Sequence, residues 1–189
     1  MIEIGGHTFD ETLLTDGVII DVGCRDFTFA SYFQNKSVYC IDVDPKVFKG
    51  VTNNFTHLNV AISDKKGTTG YYENGEGTCL KEIDPDQAHP FIECEAITMA
   101  DLYKITGTNI DILKLDCEGA EYTILGETFE PIPKQISVEF HNHCVPLMHE
   151  ANYNNIIERL SVHYTMHNNV WEQRHGCGYN FWDTLFIKK

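Results

Sequence analysis

The sequence is poor in positive charge. Its 189 residues hold 14 lysines and arginines against 28 aspartates and glutamates, a formal net charge of -14. Nonspecific binding of DNA or RNA rests on cations that neutralise backbone phosphates, so this balance argues against a nucleic-acid partner. Long apolar runs are missing too. No stretch approaches the roughly 20 residues that cross a bilayer, and the N-terminus carries Glu3, His7 and Asp10 instead of a basic segment followed by an apolar one. A soluble, unprocessed chain without a membrane span is expected. There is no C-x-x-C pair and no H-x-x-x-H on a predicted helix, so no structural zinc site is expected and no metal ligands are assigned. Cys144 and Cys177 stand apart, and His143, His149, His163, His167 and His175 read as surface or loop residues. The seven cysteines are an odd number, and Cys24, Cys40, Cys94 and Cys117 lie in or beside apolar runs. That usage suits a reducing, cytoplasmic compartment better than a disulfide scaffold. No repeat or low-complexity linker divides the chain, and its length with 42% hydrophobic residues fits one domain spanning 1–189.

What is present is organised around Ile110 to Glu121, I-D-I-L-K-L-D-C-E-G-A-E. Ile110, Ile112, Leu113 and Leu115 predict a central strand buried on both faces, ending in Asp116 and Glu118. Gly119 and Ala120 let the chain turn, and Glu121 to Leu125 predict a short helix that Gly126 stops. In an open parallel sheet, ligands gather beyond the carboxyl ends of the strands, which is where these acids fall. The plainer reading of Asp116 is a helix cap. Lys114, inside the apolar run, needs a nearby acid and reads first as half of a structural ion pair with Asp21 or Glu139.

Residues 1–17 read as a lead-in of mixed polarity. Val18 to Gly23 predict strand one, and Asp26 to Gln34 a helix with Phe27, Ala30 and Phe33 on its inner face. Val38 to Ile41 predict strand two, followed by a helix through Val51 that Asp44 caps with Pro45 at its first position. A third strand is expected around Leu58 to Ile62, and Tyr71-Tyr72 read as added extended structure. Asn74 to Gly77 form either a lid or a plain turn, and Asp84 to Pro90 a connector. Thr98 caps a helix ending at Gly107, Gln135 to Phe140 predict another strand, and residues 143–189 close the fold with a helix from Tyr153 to Leu160 and two extended runs, Val162 to His167 and Phe181 to Ile187. Alternating strands and helices imply an α/β sandwich of the Rossmann type, with a mostly parallel sheet and room for an antiparallel edge strand.

The crevice after strand one lacks G-x-G-x-x-G. Gly23-Cys24-Arg25-Asp26-Phe27-Thr28 has one glycine, and Asp26 sets a negative charge where a pyrophosphate would sit. An adenosyl ligand without phosphates needs only one close backbone approach, and Asp42, at the end of strand two, is placed to hold ribose hydroxyls. S-adenosylmethionine fits this pattern better than NAD. Asp42-Val43-Asp44 is also a D-x-D of the kind that holds metal and nucleotide-sugar in glycosyltransferases.

Lys114-Leu115-Asp116-Cys117-Glu118-Gly119-Ala120-Glu121, preceded by apolar residues, resembles the signature of the FkbM family of class I S-adenosylmethionine-dependent methyltransferases. Val18 to Gly23, Ile41 to Pro45, Asn59 to Gly67 and Ile136 to His141 match its other motifs, so the resemblance spans residues 18–142. It implies the seven-stranded methyltransferase sheet and O-methylation of a sugar, secondary metabolite or other small hydroxyl compound. It also implies cofactor contacts from Asp21, Gly23, Cys24, Asp42, Val43, Ala61, Asp64 and Asp116. The chain departs from the family where a small residue, Asn and a second Gly are usual; Cys24, Arg25 and Phe27 stand there, which sets Phe27 against the methionine end of the cofactor. Arg25 pairs with the cofactor carboxylate, with Asp26 or with solvent.

Methyl transfer to oxygen needs an aligned acceptor and a base for its proton. Asp116, Glu118, Glu139 and His141 come from adjacent strand ends and are the candidate catalytic residues, with His141 or Asp116 as base and Glu118 and Glu139 orienting the acceptor. The same acids are able to hold a divalent ion on the acceptor oxygen, the lesser alternative. A catalytically silent adenosyl- or partner-binding relative and a nucleotide-sugar transferase are the competing readings. The acceptor pocket is left to residues 1–17, to loops near 74–90 and 142–152, or to a second subunit of a homo-oligomer.

Overall fold

The computed structural model describes residues 1–73, 78–81, 90–141, 150–173 and 180–189. The chain opens with strands β1 (Ile2–Ile4) and β2 (His7–Phe9), which form an antiparallel hairpin. Gly5 and Gly6 make its turn with φ of 58° and 82°, the left-handed pair that a tight hairpin needs. Strand β3 (Val18–Val22) leads to a single-turn helix α1 (Thr28–Ser31), and β4 (Val38–Ile41) to a 3-10 turn at Pro45–Phe48 that Asp44 caps. Short strands β5 (Thr56–Leu58), β6 (Ala61–Ile62), β7 (Gly67–Tyr72), β8 (Cys79–Leu80) and β9 (Ile92–Ile97) follow. Helix α2 (Met99–Thr106) is capped by the Thr98 side chain and stopped by Gly107 at φ 78°. Then come β10 (Ile110–Leu115), α3 (Ala120–Ile124), β11 (Gln135–His141), α4 (Glu150–Leu160), β12 (Tyr164–Gln173) and β13 (Asn180–Lys188).

The main sheet has seven strands in the order β12-β13-β11-β10-β3-β4-β5. β11, β10, β3, β4 and β5 run parallel, while β13 is antiparallel to both β11 and β12. This is the α/β Rossmann-like sandwich with an antiparallel edge that the strand pattern predicts. Successive residues of a strand face opposite sides, so Ile19 and Ile112 join Phe9, Phe29 and Phe33 under one face, while Ile20 and Leu113 join Leu102, Ile124 and Leu160 under the other. At about 25 cal/mol per Å² of apolar surface removed from water, these two layers supply most of the drive to fold.

Four expectations change. The run Leu58 to Ile62 divides: β5 ends the main sheet, and β6 starts a second, four-stranded sheet in the order β6-β9-β7-β8. The helix expected from Asp26 to Gln34 keeps only its turn at Thr28–Ser31, and the one expected through Val51 is a 3-10 turn ending at Phe48. Aromatic packing holds both segments without a long helix: Phe9 lies 5.1 Å from Phe33, and Phe48 stacks on His57 at 4.8 Å between ring centroids. The lead-in is the β1–β2 hairpin, whose His7 and Phe9 are buried. The proposed lid at 74–77, most of the connector at 84–90, and His143, Cys144, His149, His175 and Cys177 lie outside the described residues. Among the described residues, Cys24, Cys40, Cys79, Cys94 and Cys117 form no disulfide, and no helix is long and apolar enough to cross a membrane.

Candidate active site

A cleft of about 500 Å³ opens at the carboxyl ends of β3, β4, β10 and β11. Its floor exists because residue 23 is glycine. Gly23 has φ 75°, and a Cβ there would lie 1.7 Å from the carbonyl oxygen of Asp116. Any side chain would push apart the ends of β3 and β10, which are joined by the Asp116 N–H donating to the Val22 carbonyl at 3.1 Å.

The turn from β10 into α3 is built on two consecutive left-handed residues, Glu118 at φ 51° and Gly119 at φ 98°. For Glu118 that conformation costs about 1–2 kcal/mol, and such strain is characteristic of functional turns. The fully buried carboxylate of Glu121 holds it, accepting the N–H of Cys117 at 2.7 Å and of Gly119 at 2.9 Å. The same carboxylate lies 3.0 Å from His141 Nδ1. His141 Nε2 therefore points into the cleft, 3.6 Å from Asp116 Oδ1 and 3.8 Å from both Glu118 Oε1 and Glu139 Oε1.

Behind this ring sits Lys114, 4% exposed, with its Nζ 3.0 Å from Asp21 Oδ1 and 3.4 Å from Asp116 Oδ2, donating to the Gly23 carbonyl at 2.8 Å. Asp21 is paired in charge, yet neither of its buried oxygens accepts a well-directed hydrogen bond. His7 reaches in from β2, its Nδ1 3.2 Å from the Ser137 hydroxyl and its Nε2 3.4 Å from Asp116 Oδ2. A hydroxyl donor on Nδ1 leaves the Nε2–H for Asp116.

Electrostatics divide the two histidines. Burial pulls the His7 pKa below its ordinary 6.5, the Asp116 bond only partly opposing it, so His7 is neutral at pH 7. Burial would lower His141 as well, but the Glu121 carboxylate, with Glu118 and Asp116 beyond it, overrides this and raises it to about 10. His141 is therefore an imidazolium at neutral pH. Burial alone would raise Asp116; Lys114, His7 and His141 outweigh it and hold the carboxyl far below the usual carboxylate range. Asp42 moves the other way, raised chiefly by burial.

Asp21, Gly23, Cys24, Asp42, Val43, Ala61, Asp116, Glu118, Glu139 and His141 all line this one cleft. Asp64 does not: it is exposed after β6, with Lys65 Nζ 3.6 Å from its carboxylate. Phe27 is absent from the lining as well. Its left-handed backbone, φ 59°, takes the conformation a glycine would have and turns the ring onto Phe48, Phe55 and His57, so it does not crowd the cleft. Arg25 lies on the rim, within electrostatic reach of Asp42, and Asp26 accepts the Thr28 N–H and hydroxyl. Lys114 pairs with Asp21 as expected of a structural ion pair, and it also faces Asp116.

The D-x-D reading fails on geometry. Asp42 Oδ1 accepts the Asp44 N–H, and Asp44 Oδ1 caps the next turn by accepting the Lys46 N–H, each at 2.9 Å. Asp44 does not line the cleft. His7, Asp116 and Glu139 bring donor atoms within 4.8 Å of one another, a spacing a metal ion can use. Both Asp116 oxygens, however, already face fixed protein cations, Lys114 and His141, which an ion would have to displace.

His7 and Glu121 escaped the sequence reading. The signal for His7 was there: Ile2 and Ile4 alternate up to Gly5-Gly6, and His7 and Phe9 alternate after it, the pattern of a tight hairpin. Glu121 closes the stretch that resembles the family signature, but its contact could not be read there, because its partner lies twenty residues away on β11.

A family model described as the methyltransferase FkbM domain matches residues 16–181. No curated protein matches the chain. Among solved structures, the chain is similar to a Methanococcus jannaschii fibrillarin pre-rRNA processing protein, at 10% identity and a TM-score of 0.55, over 96% of this chain and 70% of that one. It is also similar to the fibrillarin/Nop5p complex (10% identity, TM-score 0.52, 92% and 73% covered). A third similar structure is M. capricolum TrmK with S-adenosyl-homocysteine (15% identity, TM-score 0.45, 97% and 70% covered). At these identities the likeness to the two fibrillarin structures is one of fold alone.

Proposed function

Because the chain belongs to the FkbM methyltransferase domain family, we propose that it transfers the methyl group of S-adenosylmethionine to the hydroxyl oxygen of a small acceptor such as a sugar or secondary metabolite. One observation carries this reading: the Gly23 turn, Asp42 and the Asp116–Glu118 turn converge with His141 on a single cleft. The residues fit the cofactor. Asp21 offers buried oxygens without hydrogen bonds, Gly23 leaves bare backbone, and the acids around them suit a cation. When bound, S-adenosylmethionine supplies a methyl group on a cationic sulfonium, which departs as a neutral thioether.

The chain's own residues divide the remaining work. Asp42, fixed by the Asp44 N–H, holds the ribose hydroxyls, and Val43 and Ala61 form apolar wall beside it. Gly23 and Cys24 present backbone, and Asp21 and Asp116 attract the ammonium end. Asp64, exposed beyond the cleft, takes no part. Proton removal falls to Glu118. His141 already carries its proton, Asp116 is held ionised by three cationic or donor neighbours and is a weak base, and Glu139 is more enclosed than Glu118 (8% against 19% exposed). His141 and Glu139 orient the acceptor oxygen. An RNA acceptor is disfavoured by the net charge of -14.

The test is transfer of labelled methyl from S-adenosylmethionine to a panel of sugars and small polyols, wild type beside Glu118→Gln. Label on hydroxyl oxygen, lost in the variant, supports the reading. Tight cofactor binding with no transfer to any hydroxyl compound would replace it with the silent binding relative.

A further inference from the structure

Glu121 does not line the cleft, yet three groups of the site end on it. Its carboxylate is fully buried, takes the Cys117 and Gly119 N–H groups, and meets His141 Nδ1 at 3.0 Å. Holding the turn accounts for the two backbone contacts, one on each carboxylate oxygen, but not for the third. Burying a carboxylate is costly without a cation beside it. Among the described residues, His141 is the basic side chain within ion-pair distance of Glu121. The two residues arrive on different elements, α3 and β11, and their contact is what turns Nε2 toward Asp116, Glu118 and Glu139.

We infer that Glu121 is a positioning residue that locks the left-handed turn at Glu118 and the aim of the His141 ring to each other, so that one buried carboxylate sets both groups facing the acceptor. Its bearing on an acceptor rests on the methyl-transfer reading. The coupling itself does not. His141 is faced by Glu121 from α3, by Asp116 and Glu118 from the turn after β10, and by Glu139 from its own strand; Lys114 and His7 reach Asp116 from β10 and β2. Of these, Glu121 is nearest, so its charge dominates the proton affinity of the ring.

The test is a pH titration of the His141 imidazole by nitrogen NMR on the full chain without cofactor, wild type and Glu121→Gln. Glutamine keeps the length and one acceptor oxygen for the turn but removes the charge. Wild-type His141 should titrate near 10, with Nδ1 protonated throughout. In the variant its proton affinity should fall about ten- to a thousandfold, and turnover should drop while affinity for S-adenosylhomocysteine holds. A wild-type ring titrating near 6.5, or an unchanged affinity in the folded variant, overturns the role. If Glu121→Gln does not fold, the wild-type titration decides alone. S-adenosylhomocysteine calorimetry on the same samples separates the two readings: no binding with His141 still near 10 sinks the methyl-transfer reading and leaves the coupling standing.

Discussion

At its amino end β10 carries Asp111, and just past its carboxyl end Asp116; both are acids of one central strand, but the protein treats them differently. Asp111 is fully buried and saturated. It accepts the Thr15 N–H and the Thr15 hydroxyl, each at 2.8 Å, and the Lys134 ammonium at 2.8 Å, with Lys36 at 3.4 Å. Gly17 is pressed so close that a Cβ there would lie 2.5 Å from its Oδ1. Asp116 is 31% exposed, its side-chain contacts are longer at 3.4–3.6 Å, and the turn beyond it is strained at Glu118. A saturated carboxylate has nothing left to offer a ligand. A loosely held one, beside an Asp21 without hydrogen bonds, does. The comparison separates stability at one end of the strand from chemistry at the other.

Substitutions should keep that separation. The largest effect is expected for Glu118→Gln, which should lower methyl transfer by about 10²–10⁴-fold while thermal unfolding stays close to wild type. A parallel loss of stability would mean that Glu118 is structural. Asp111→Ala should behave in reverse: about 3 kcal/mol of stability lost in chemical denaturation, with cofactor affinity unaltered where the protein is folded. Weaker binding there would show that the two ends are coupled. Asp42→Ala should weaken S-adenosylhomocysteine by about 1.5–3 kcal/mol, with little change in unfolding. Smallest is Lys36→Met, expected to cost less than about 1 kcal/mol, because Lys36 is the more distant of the two lysines and Lys134 stays at 2.8 Å from Asp111.

The two ends also answer to opposite changes of pH. Burial alone would raise Asp111, but Lys134 and Thr15 bring it below the ordinary carboxylate value. The stability it contributes is present above the unfolded value near 4 and lost as pH falls through the folded one. His141 is raised from 6.5 to about 10, so its contribution is complete below 6.5 and lost as pH rises through about 10. Denaturation across the pH range should therefore show a shallower acid limb in Asp111→Asn and a shallower alkaline decline in His141→Asn. An alkaline limb identical to wild type in His141→Asn would contradict the imidazolium.

Much of this was legible in the sequence. The β-branched runs at Val18 to Val22 and Ile110 to Leu115 placed the central strands, and the order strand, acids, glycine, helix placed Asp116 and Glu118 at the cleft. Local pattern could not show what depends on tertiary partners. Phe27 looked like an obstacle because a sequence does not reveal a left-handed backbone. Asp64 was carried into the site by motif position, but β6 leaves the main sheet and takes Asp64 to the surface. His141 looked like a base by its ordinary pKa, and the contact with Glu121, with Glu118 and Asp116 beyond it, makes it a cation. The Gly5-Gly6 hairpin was readable in principle, but its delivery of His7 to Asp116 depends on packing against β11.

The most direct test of the central claim is calorimetric titration of S-adenosylhomocysteine into the wild-type protein and Asp42→Ala. The account predicts micromolar binding by the wild type, on the order of -8 kcal/mol, and binding about ten- to a hundredfold weaker in the variant. An absence of heat and of any thermal shift in the wild type, or equal binding by both proteins, would contradict it.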